Sequence, residues 1–69
     1  MKLCARNILK GKIFEVKKGA TMAHVRIELP GGAVTTSSIT NEAVEELRLA
    51  AGMDAYAVIK ASDVMIARD

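Results

Sequence analysis

Cysteine, histidine, proline and the aromatics are all scarce in this 69-residue chain. Cys4 is the only cysteine, which excludes an intrachain disulfide. With His24 as the only histidine, too few soft ligands remain for a structural zinc site. Tryptophan is absent, and Phe14 and Tyr56 are the whole aromatic complement. That is too few for the stacking platforms that hold single-stranded nucleic acids. No apolar run approaches the roughly 18 residues needed to span a bilayer. Residues 1–7 lack the apolar core of a secretory signal. A net charge of +2 is too small to argue for DNA or an anionic membrane as partner. One unpaired cysteine agrees with a reducing compartment. Together these features give the expectation of a soluble, cytoplasmic protein without a membrane association.

What is present is the composition of a folded chain. Leu, Ile, Val and Phe supply 18 of the 69 residues, too many for a disordered segment. The length allows one domain, taken as residues 1–69. A domain of that size buries only about 60% of its unfolded surface. With disulfide and metal excluded, oligomerisation is the expected support.

Gly11, Gly19, Pro30-Gly31-Gly32 and Gly52 cut the chain into strand-length pieces. The clearest is residues 22–29. There Ala23, Val25, Ile27 and Leu29 fall on one face, and Met22, His24, Arg26 and Glu28 on the other. Strict alternation is the pattern of a half-buried antiparallel strand. Residues 7–17 read as strand too, with a bulge where Ile13 and Phe14 stand side by side after Gly11. Residues 33–39 are β-branched and rich in hydroxyls, which makes a polar strand. Thr40 can cap a helix of about two turns that starts at Asn41, with Glu42 in its first turn and Ala43, Val44 and Leu47 as its apolar stripe. Residues 53–61 read as a fourth strand, and residues 64–67, after a turn at Ser62-Asp63, as a short fifth. The expected fold is all-β with one short helix, a five-stranded Greek-key barrel of the oligonucleotide-binding type. An SH3-like barrel is the runner-up.

Catalytic signals are weak. His24 sits on the polar face of a strand, and Cys4 has no partner base in sight. Glu42, Glu45 and Glu46 read as a solvated helix face, and Gly31-Gly32 is a hairpin turn and not a phosphate loop. The chain is therefore not expected to be an enzyme. One constellation remains, of cations, an amide and hydroxyls: Arg6 and Asn7 near the start, Thr35, Thr36, Ser37, Ser38 and Thr40 in the middle, Lys60 and Ser62 near the end. Charge-assisted donors beside hydroxyls and backbone N–H groups suit a small oxyanion. From composition alone, hydroxyls that merely solvate a sheet surface are the better explanation.

The ordered motifs alter that balance. Cys4-Ala5-Arg6-Asn7 resembles the Ser-Ala-Arg-Asn signature of the molbindins, the small molybdenum-pterin-binding (Mop) proteins. It runs on through Ile8-Leu9-Lys10-Gly11-Lys12-Ile13. Thr36-Ser37-Ser38-Ile39-Thr40, Val44-Glu45-Glu46-Leu47-Arg48-Leu49 and the stretch from Ala57 to Ile66 match the family in the same order. The resemblance covers nearly the whole chain and implies a barrel of the Mop/TOBE type. It also implies intracellular binding and storage of molybdate or tungstate. The ions would sit at subunit interfaces of a homo-oligomer, usually a hexamer built as a trimer of dimers. The matching site positions are Cys4, Ala5, Arg6, Thr40, Lys60, Ala61 and Ser62. Arg6 and Lys60 would bring charge, Thr40 a hydroxyl, and Ala5 and Ala61 backbone N–H groups.

Two positions depart from the family pattern. Cys4 replaces a serine hydroxyl with a weaker, larger donor. Ala43 stands where a further hydroxyl often occurs. These departures keep a non-binding interaction module open as an alternative, beside a nucleic-acid-binding barrel that rests on fold analogy alone.

Overall fold

The computed structural model describes residues 6–69. Four strands, one short helix and a 3₁₀ turn follow one another: β1 (Asn7–Lys18), β2 (Met22–Glu28), β3 (Val34–Thr40), α1 (Asn41–Glu46), β4 (Asp54–Ile59) and the turn Ala61–Asp63. All strand pairs are antiparallel, in the order β3-β2-β1-β4. Three hairpin-connected strands with the fourth returning beside the first make a Greek key.

β1 is the spine. Its first half, Asn7 to Lys12, pairs with β4, and its second half, Lys12 to Lys18, pairs with β2. The register shifts between Ile13 and Glu15, so Phe14 is the extra residue of a bulge. Its ring stays exposed, with the Arg26 guanidinium 5.3 Å from the centroid. Between the two halves the backbone of Ile13 serves the loop before β4. Its N–H donates to Met53 O, and its carbonyl accepts from Gly52 N–H. Gly11 makes this crossover possible. A Cβ there would lie 2.4 Å from Glu28 O and 2.5 Å from Ile27 Cγ2, so β1 passes over β2 closer than any side chain allows.

The core lies under the second half of β1. It consists of Ile13, Ala23, Val25 and Ile27, with Val44 from α1. The alternation read along residues 22–29 holds: Ala23, Val25 and Ile27 are buried, Leu29 is half-buried, and Met22, His24 and Glu28 are exposed. Thr40 caps α1 as expected, its Oγ1 accepting the Ala43 N–H at 3.0 Å. The helix runs for six residues, close to the expected two turns, and the chain then turns left-handed at Arg48 (φ 54°). That conformation lets Leu49 N–H reach Val44 O, a helix ending that glycine ordinarily serves. Leu47 falls outside the helix and is 64% exposed, so it does not complete the apolar stripe.

The expected fifth strand is absent among the described residues. Residues 64–67 pair with none of the described residues, and Met65 and Ile66 are 93% and 90% exposed. The expected strand at 53–61 is shorter, Asp54–Ile59. The reason is geometric: the chain turns 3₁₀ after Lys60 and leaves the sheet. β3 and β4 are therefore both edge strands. Between them runs an open groove lined by Val25, Ile27, Ile39, Tyr56 and Val58 among others. The sheet is curled but not closed by a fifth strand. No helix among the described residues is long and apolar enough to cross a membrane.

Candidate functional site

The register of β1 against β4 puts two cations together. Asn7 pairs with Ile59, Ile8 with Val58 and Leu9 with Ala57. One step beyond the last pair, the same register sets Arg6 opposite Lys60. Lys60 is still extended (φ −62°, ψ 140°). By strand alternation its side chain leaves on the face of Val58, and Arg6 on the face of Ile8. Both cations are exposed. Ion pairs among the described residues use Lys12, Lys18 and Arg26, and Arg6 and Lys60 take part in none.

The turn that follows adds backbone donors. Asp63 N–H donates to Lys60 O at 2.9 Å and Val64 N–H to Ala61 O at 3.3 Å. In a 3₁₀ turn the first two N–H groups, here of Ala61 and Ser62, have no partner inside the turn. The segments just beyond the open end of the β1–β4 ladder thus carry two cations, two backbone N–H groups and the Ser62 hydroxyl. An exposed array of donors suits a multiply accepting anion. In water its charge-assisted bonds are screened; covering the site raises their strength.

Asn7 ties this end of the ladder. Its Nδ2 donates to Ile59 O at 3.2 Å, across 52 residues of sequence. The sequence motif contains Asn7 but gives it no role of its own. The signal that finds it is its half-burial in the last pair of an antiparallel ladder.

Thr40 stands elsewhere. It ends β3, pairs with Met22 and lies on the edge strand opposite β4. No strand pairing brings it to Arg6 or Lys60. Capping α1 occupies a lone pair on Oγ1 and leaves the hydroxyl proton available to donate. Cys4 and Ala5 lie outside the described residues. Of the middle hydroxyls, Ser37 Oγ donates to Val25 O at 3.1 Å and so serves the sheet itself. His24 is exposed, opposite Lys17 and Ser38. No group of three or more His, Cys, Asp and Glu side chains among the described residues could hold a metal ion.

Comparison with known proteins places the chain in a family. The TOBE domain family matches residues 4–66. A probable molybdenum-pterin-binding protein of Haemophilus influenzae is 47% identical over 66 residues, covering 96% of both chains. The structure of MopII from Clostridium pasteurianum superposes with a TM-score of 0.91 at 45% identity, over 97% of this chain and all of that one. The cytoplasmic molybdate-binding protein ModG, solved with molybdate bound, superposes with a TM-score of 0.90 at 49% identity. It is matched over 94% of this chain and 46% of its own length. A family match over most of the chain, near-full-length relatives and the shared fold lead to one assignment: the chain belongs to the TOBE domain family, among its small molybdenum-pterin-binding members.

Proposed function

We propose that this chain binds molybdate, or tungstate, as an intact oxyanion between copies of itself, and that it buffers and stores the ion in the cytoplasm. The observation that carries this reading is the β1–β4 register, whose last pair is Asn7–Ile59 and whose next position sets Arg6 opposite Lys60, before the N–H groups of Ala61 and Ser62. Hydrogen bonds and charge hold the ion there; the protein contributes no metal–ligand bond and no catalytic step. The names of its relatives, and the molybdate held by ModG, support the choice of ion.

The site of one chain is incomplete. Arg6, Lys60, Ala61 and Ser62 face solvent, and Thr40 lies on the other edge strand. A second copy supplies the cover, and Thr40 of one copy meets Lys60 of the other. The exposed segment 64–67 supports such assembly. Two large apolar side chains held in water are unfavourable. The β3–β4 groove offers an apolar floor and two unpaired strand edges. Residues 64–67 of one copy fill the groove of the next and complete its fifth strand, in a homo-oligomer we take to be a hexamer.

Native mass spectrometry with and without molybdate tests this directly. The expected result is an assembly that gains several oxyanion masses, which sulfate fails to replace. Lys60→Ala is expected to weaken binding at least tenfold, since a charge-assisted hydrogen bond contributes about 1.5–3 kcal/mol. An assembly that never gains molybdate mass overturns the reading.

A further inference from the structure

The end of the β1–β4 ladder works against itself. Directly opposed residues of an antiparallel pair have Cα atoms about 4.5–5.5 Å apart, and like charges in such positions repel. Arg6 and Lys60 occupy the next register position after Asn7 and Ile59, and regular pairing stops one residue short of them. Among the described residues no acidic side chain forms an ion pair with either cation. Besides the ladder itself, the last pair is braced by the side-chain bond from Asn7 Nδ2 to Ile59 O, 3.2 Å long and partly buried. It lies on the face opposite the cations, because Asn7 and Arg6 are neighbours on one strand.

We propose that Asn7 is a positioning residue for the oxyanion site: it clamps the ladder end so that Arg6 and Lys60 stay within reach of one anion despite their mutual repulsion. The inference rests on the anion-binding reading above and deepens it. Asn7 touches no ligand. Its amide bonds the Ile59 carbonyl, and the chain then enters Lys60 and the 3₁₀ turn. Fixing Ile59 therefore fixes where Lys60 and the N–H groups of Ala61 and Ser62 begin. Binding the anion removes the repulsion that the clamp opposes. The clamp accordingly matters most in the empty site, where it presets the distance that the ligand would otherwise have to impose.

The test uses Asn7→Leu, which keeps the branched shape of the side chain but removes the donor. Molybdate affinity is measured by titration calorimetry on the assembled protein. Thermal midpoints without ligand are measured for Asn7→Leu alone and in an Arg6→Ala background, where one of the opposed cations is gone. The expected results are an affinity at least tenfold weaker, and a midpoint loss at least twice as large with Arg6 present as without it. Unchanged affinity overturns the positioning role. Equal midpoint losses in the two backgrounds overturn the clamp against repulsion and leave an ordinary structural hydrogen bond. Should Asn7→Leu fail to fold, Asn7→Ser, with a shorter side chain, carries the same two measurements. A wild-type protein that binds no molybdate overturns the functional reading itself, an outcome distinct from wild-type and Asn7→Leu binding equally.

Discussion

The two halves of β1 do different work. From Lys12 onward it pairs with β2, and its inward residue Ile13 is wholly buried against Ala23, Val25 and Ile27. Before Lys12 it pairs with β4, whose inward residues Ala55 and Ala57 are small and only half-buried. On the other face Ile8, Tyr56 and Val58 are exposed. One half makes the core. The other has little core of its own, carries the cations and ends beside an apolar segment in water. A chain this short cannot fill both halves from its own residues, and the half left thin is where the proposed function places the ligand and further copies.

Four variants sharpen or break that contrast. Ile13→Ala strikes the core half and is expected to destabilise by about 2–5 kcal/mol in chemical denaturation. Ile8→Ala, the same deletion five residues earlier on the same strand, is expected to cost clearly less. If the two cost alike, the first half of β1 is as buried in the assembly as the second is in the single chain. Replacing Met65 and Ile66 together by Asp is expected to dissociate the assembly in sedimentation velocity while far-ultraviolet circular dichroism keeps its β signature. An intact assembly would show that residues 64–67 are not what joins the copies. The smallest effect belongs to Arg48→Gly, expected to raise stability by about 1 kcal/mol by removing the left-handed strain at the helix end. No gain in thermal unfolding would mean that the Arg48 side chain itself stabilises that turn.

The features legible in the sequence were those that one chain satisfies alone. Alternation along residues 22–29 placed the core face of β2. The neighbouring Ile13 and Phe14 marked the bulge, and Thr40 marked the cap of α1. Residues 64–67 misled for a physical reason. Their β-branched and apolar content is that of a strand, but a strand exists only with a hydrogen-bonding partner, and none of the described residues provides one. Leu47 misled because it caps the helix end, followed by an arginine in a left-handed conformation that side-chain type does not announce. The site showed the same division. Arg6 and Lys60 are motif positions, and the β1–β4 register, carried one step past its last pair, sets them opposite each other. Thr40 was found by the same motif, and a single chain leaves it on the far edge strand. Asn7 needed the ladder, since nothing in its spacing from Ile59 reveals a contact across 52 residues.

Gly11 sets a limit on how this protein can change. The atoms that a methyl group there would meet are a backbone carbonyl and a core side chain, and neither is free to move aside. Substitution even by alanine would lift β1 from β2 just where the strand passes from one partner to the other, spoiling the core and the direction in which Arg6 is delivered to Lys60. A saturation library across β1 should therefore tolerate many residues at Lys10 and Lys12, whose side chains stand in water, and none but glycine between them.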